Sequence, residues 1–271
     1  MQLDRNRIVI RERGWLDLLD LALRVIRVYA WPLAVTLAIG ILPAMLLNAW
    51  LLAGWSQPEF DEDVPGAYLI GMLIVVLAEI PLVTAPATLY LGEAVFLERP
   101  GVRSVAGGFF HALPQLFFFQ VLLRAIFLPL VITWLVPFVA CPYMSEVILL
   151  ERNPLRRRRR RQMTTFRRSN ALHSGSAGDL FGRWLASAAF GAMLFLAFWF
   201  TMQILAGLLL SEWEWEGLTY TLYYPLALWI VAGYFTVVRF LGYLDLRIRR
   251  EGWEVELMMR AEEARLSRQL T

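Results

Sequence analysis

Six consecutive arginines, Arg156, Arg157, Arg158, Arg159, Arg160 and Arg161, interrupt a chain otherwise dominated by long apolar runs. They lie in a stretch that leaves one apolar segment at Pro142–Leu150 and enters the next only at Trp184. A charge at the centre of a bilayer costs roughly 2.5–3.5 kcal/mol, so such a block stays on one side of a membrane and pins the chain there. The flanking segments make lipid the relevant solvent. Hydrophobic residues fill 58% of the 271 positions, above the roughly 45–50% apolar content of soluble domains. Bilayer burial hides that surplus most simply.

The apolar runs predict an all-α polytopic membrane protein with about six transmembrane helices in three hairpins. A cytoplasmic arm and an amphipathic interfacial helix occupy 1–28. In that helix Asp17, Asp20, Arg24 and Arg27 recur at spacings of three and four on one face, and Asp20 pairs with Arg24. Four transmembrane helices fill 29–150. The first is Tyr29–Trp55, and the second is Gly66 to about Phe96 with Pro81 and Pro86 bending it. After a short polar connection, Glu98–Ala112, comes the apolar run Leu113–Leu149. It is too long for one straight crossing at about 1.5 Å per residue. Two tight spans turning around Trp134–Pro137 fit it, and one long tilted helix with a re-entrant piece is the alternative. The arginine-rich cytoplasmic loop is 151–183, two further spans fill 184–243, and a cytoplasmic tail helix takes 244–271.

Orientation follows from charge. With both termini in the cytoplasm, the inner segments hold 24 of the 26 basic residues, all arginine, and the outer loops hold none. This is the positive-inside pattern, and it requires an even number of spans. The arginine-rich N-terminus, followed by an apolar run longer than a signal sequence carries, predicts a retained first span in the bacterial inner membrane. The six arginines lie directly under a span, where anionic headgroups attract each basic residue by roughly 1 kcal/mol. They are candidate contacts to anionic lipid, and no nucleic-acid partner is expected.

Glu79, Glu93, Arg124 and Arg239 fall within spans, with Glu146 a turn short of the inner boundary. Charges in lipid face protein or water and find partners, so these are candidate intramembrane pairs. Glu79 and Arg124, both near mid-span, are predicted to pair between spans 2 and 3. Arg239 lies at a depth comparable to Glu93 and Glu146. Either the five residues line a polar pathway, or they tie helices together with Arg239 snorkelling to the headgroups.

Catalytic chemistry is not expected. A lone cysteine, Cys141, precludes an internal disulfide and a cysteine-built metal site, and two histidines are too few for a histidine-rich one. His173 sits near loop serines with only Asp179 as an acidic neighbour, and Asp179 reads as the cap of a helix starting at Leu180. No cofactor or metal is predicted.

Two segments resemble a known group. Glu146-Val147-Ile148-Leu149-Leu150-Glu151-Arg152-Asn153-Pro154-Leu155 followed by Phe166-Arg167-Arg168-Ser169 is one. The ending Tyr243-Leu244-Asp245-Leu246-Arg247-Ile248-Arg249-Arg250-Glu251-Gly252-Trp253 is the other, and the more specific. Both resemble bacterial polytopic membrane proteins: the membrane domain attached to some glycerophosphodiester phosphodiesterases, and related uncharacterised six-span proteins. The resemblance implies a helical membrane domain without established activity of its own, since the chemistry of those enzymes belongs to an attached soluble barrel. Six straight arginines replace the shorter basic loop of that group.

These readings converge on a non-catalytic scaffold or accessory subunit in envelope or lipid-linked processes, with the C-terminal tail as a docking surface for another membrane protein. A small transporter using Glu79, Arg124 and Arg239 is the alternative, and an intramembrane enzyme the third.

Overall fold

Proline positions and the distribution of small residues decide where the helices break and how closely they approach. A computed structural model describes residues 14–55, 65–97, 100–122, 141–154, 163–173, 177–211, 213 and 217–251. Arg124, the turn at Trp134–Pro137, the six arginines and the tail beyond Glu251 lie outside the described residues. Within them the protein is all-helical, with no strand, and four helices are long and apolar enough to cross a membrane: Ala30–Leu51, Gly66–Ala94, Gly178–Leu210 and Thr219–Arg250.

In chain order the helices are α1 (Trp15–Val28), α2 (Ala30–Leu51), α3 (Gly66–Val83), α4 (Ala85–Ala94) and α5 (Val102–Leu116). They continue as α6 (Met144–Glu151), α7 (Thr165–His173), α8 (Ala177–Leu210) and α9 (Tyr224–Glu251). π-helical turns extend α5 over Phe117–Leu122 and lead into α9 over Thr219–Tyr223.

The bend expected in the second span is a break at Thr84 between α3 and α4. Pro81 and Pro86 each remove a backbone donor from the ladder. The Thr84 hydroxyl donates to the Ile80 carbonyl at 2.7 Å, which supplies a donor at the break.

Two boundaries differ from the sequence reading. The connection expected at 98–112 is helical from Val102. Its Val105, Gly108, Ala112 and Leu116 recur at three and four residues and pack inward on α4 and α6, so tertiary burial overrides local polarity. α8 starts at Ala177 rather than Leu180, and Asp179 stands in its first turn, 3.0 Å from Arg183.

α9 is the axis of the assembly. Of its membrane-length window 67% is buried, against 11–22% for the other three, and Trp229, Phe240 and Tyr243 are among the largest fully buried side chains. α1, α2, α3, α4 and α8 all pack on it. Only Tyr29 separates α1 from α2, and α1 buries Leu18, Leu19, Ala22 and Val25 in the shared core. The Tyr234 hydroxyl fastens α9 to α1 by donating to the Leu19 carbonyl at 3.2 Å. α2 turns Trp31, Ile39, Leu46 and Trp50 outward, as a lipid-facing helix does. Gly40 lets α2 reach the backbone of α3 so closely that a Cβ there would overlap the Val83 carbonyl oxygen.

Candidate functional site

α6 has only eight residues, and Met144 through Leu149 are all buried. Its two carboxylates, Glu146 and Glu151, therefore enter the protein interior and must find partners there. The result is a layered ionic network that joins α6, α7, α8 and α9.

The first layer is Glu146 and Arg239. Nη2 of Arg239 donates to the Pro142 carbonyl at 2.8 Å, the Ser145 hydroxyl at 2.6 Å and the Glu146 carboxylate at 3.0 Å. Ser145 in turn donates to the same carboxylate at 2.9 Å. Thr84, Thr88 and Thr236 line a hole beside this pair that is large enough for roughly one water.

The second layer is Glu151, the last residue of α6. Arg168 of α7 grips both of its oxygens, and Tyr243 of α9 donates to it at 2.8 Å. The Asn153 amide donates at 3.0 Å, and Arg247 stands 4.0 Å away over the Tyr243 ring. Burial pushes the Glu151 carboxyl up, but hydrogen bonds from Arg168 and Tyr243 and the charges of Arg168 and Arg247 outweigh it. The group is held below the ordinary carboxylate range.

The third layer centres on Asp245, 2% exposed, which accepts from Arg183 of α8 at 3.0 Å and from Arg249 one turn on at 3.0 Å. Arg183 also holds Asp179, so the start of α8 is tied to the end of α9.

Beside these layers, His173 of α7 is a buried neutral imidazole. Its Nδ1–H donates to the Ser169 carbonyl at 2.7 Å, which leaves Nε2 to accept the Tyr143 amide at 3.4 Å. The ring also stacks on Tyr143, centroids 5.9 Å apart. Burial depresses its pKa, against the Ser169 carbonyl and the Glu146 charge. Ser169 lies 3.3 Å from the same nitrogen but is fully buried, so this serine–histidine pair offers no surface to a substrate.

The ends of the arginine-rich stretch are stitched together. Gln115 donates to the Asn153 carbonyl at 3.1 Å and to the Thr165 hydroxyl at 2.6 Å, while the Thr165 hydroxyl donates to the Asn153 carbonyl at 2.9 Å. The chain therefore leaves and re-enters the bundle at one point.

Of the sequence-predicted candidates, the structure brings together Glu146 and Arg239. Glu79 accepts from the Asn48 amide at 2.9 Å, a tie from α3 to α2. Glu93 accepts from the Ser104 hydroxyl of α5. The pairs Asp20–Arg24 and Asp245–Arg249 form at their i,i+4 spacing. Sequence reasoning missed Glu151–Arg168 and Asp245–Arg183, because charges next to a basic loop read as solvated. The signal was present in the two motif segments, which supply Glu146, Glu151, Arg168, Tyr243, Asp245, Arg247 and Arg249 to the network.

Chemically, the network couples helices. Its carboxylates are each claimed by a guanidinium, and among the described residues no three of His, Cys, Asp and Glu gather closely enough to hold a metal ion. Beside the network lies a cavity of about 490 Å³ between α1, α3, α8 and α9, walled mostly by apolar side chains. The chain matches no protein-family model, no curated protein and no solved structure.

Proposed function

We propose that this protein is a non-catalytic scaffold or accessory subunit of the bacterial inner membrane, with six spans and both termini in the cytoplasm. The observation that carries the reading is the network itself. Glu146, Glu151 and Asp245 each hold an arginine from another helix, which makes the arginine-rich end of the bundle a rigid platform. A conducting path needs a run of polar groups that water can reach, whereas the cavity is walled mostly by apolar side chains and, of Glu79, Glu93 and Arg239, takes in Arg239 alone. The motifs that resemble the membrane domain of glycerophosphodiester phosphodiesterases supply this platform, in keeping with a domain whose role is to hold rather than to react. On this reading Arg156–Arg161 meet anionic headgroups, and the tail beyond Glu251 presents a docking surface to another membrane protein.

The test is affinity purification of the tagged full chain in mild detergent, paired with reconstitution. A membrane protein recovered in fixed stoichiometry, and lost when residues 252–271 are deleted, is the expected result. A chain that purifies alone, and in vesicles passes solute or protons in a manner abolished by a folded Glu79→Gln variant, would overturn the scaffold in favour of transport.

A further inference from the structure

The cavity between α1, α3, α8 and α9 is unusual in having one wall of small side chains. On α8 the lining positions Ser187, Ala188 and Ala192 leave open the space that leucine or phenylalanine would fill, opposite Leu228 and Val231 of α9, while Gly191 lets the Phe235 ring come close. The cavity opens to the outside of the bundle, where Ala188 and Ala192 are exposed, so its apolar walls favour an apolar occupant drawn from the surroundings. Its volume of about 490 Å³ falls within the roughly 300–1,000 Å³ of small-ligand sites. The walls offer water too few polar partners to fill it.

One end of the cavity is not apolar. Arg183 and Arg239 line it there, and Trp15 and Trp184 also belong to its walls. Arg239 directs its three hydrogen bonds through Nη2, its Nε is sealed from the surface, and 24% of its side chain stays exposed. Arg183 commits Nε to Asp179 and Nη1 to Asp245. The facing carboxylates Glu146, Asp179 and Asp245 balance much of this positive charge. The residual guanidinium donors therefore suit a phosphate common to phospholipids more than they select one anionic headgroup. Tryptophan, an apolar ring with a polar N–H, suits the headgroup level of a membrane.

We propose that this cavity binds one phospholipid molecule of the surrounding membrane, an acyl chain lying along α8 and α9 and the phosphate beside Arg183 and Arg239. The site requires only that the chain lies in a membrane, so its failure would leave the scaffold reading standing.

Native mass spectrometry of the full chain, purified in mild detergent, tests this first. The expected spectrum shows one retained phospholipid per chain. Filling the cavity from either wall, by Ala192→Phe or Val231→Phe, should lower its occupancy about tenfold, and neither residue belongs to the ionic network. A photolabelling arm needs no variant: phosphatidylglycerol carrying a diazirine on its acyl chain, in phosphatidylethanolamine vesicles. Labelled peptides should include positions 187–192 of α8 or 228–235 of α9. Absence of a retained phospholipid, retention of a single-chain fatty acid instead, unchanged occupancy in a folded filling variant, or labels confined to outward positions such as Met193 and Leu196 would each overturn the site.

Discussion

Replacing Arg239 by leucine removes the donor to three acceptors at once: the Pro142 carbonyl, the Ser145 hydroxyl and the Glu146 carboxylate. Glu146 is only 4% exposed, so its charge would remain buried without a counter-ion. Removing one partner of such a pair typically destabilises by about 3–5 kcal/mol. The reciprocal change, Glu146→Leu, strands the guanidinium and should lie in the same range. The double variant removes both charges and leaves chiefly the Pro142 carbonyl unsatisfied, a loss of about 1–3 kcal/mol. It should therefore be no less stable than either single variant, whereas independent effects would sum to about 6–10 kcal/mol. Arg239→Lys should be intermediate, because one ammonium cannot reproduce the guanidinium geometry. The assay is an SDS titration of the purified protein in dodecyl maltoside, followed by tryptophan fluorescence. A wild-type midpoint for Arg239→Leu, or a double variant that loses the sum of the singles, would refute the argument that this pair holds α6 to α9.

Acid should weaken the protein in two steps. His173 has a folded pKa below its ordinary 6.5, so the folded state resists taking the proton; stability is full above about pH 6.5 and falls as pH drops through the lowered value. Glu151 is likewise held below 4.5, and its contribution is lost only as pH falls further, through its own folded value. Melting temperature recorded from pH 8 to pH 4 should stay level and then decline, and His173→Asn should remove the upper step; a rise on acidification would contradict both signs. Gly40→Ala should destabilise by about 1–3 kcal/mol, because its Cβ meets the Val83 backbone. Gly92→Ala should cost less, since there the obstacle is the flexible end of Leu150; equal thermal shifts would count against the close α2–α3 approach. Arg168→Gln should release α7 from Glu151, seen as faster amide exchange over Thr165–His173 with α9 unchanged.

The amino-acid sequence by itself determined the helical class, the apolar segments that become membrane-length helices, the proline-marked break near Thr84 and the i,i+4 pairs. These rest on local periodicity, on the missing donors of proline and on the insolubility of charge in lipid, all of which act over a turn or a span. It also marked the segments around Glu146–Leu155 and Tyr243–Trp253. Tertiary structure alone decided that Glu146 takes Arg239, that Glu79 takes Asn48, and that Glu151 and Asp245 collect Arg168 and Arg183. Those partners lie far apart in the chain, and a side chain's depth in the sequence says nothing of which face of its helix it occupies. The cavity was equally illegible. Small residues on α8 look like ordinary helix filler until α1, α3 and α9 close around them, because empty volume belongs to no single segment.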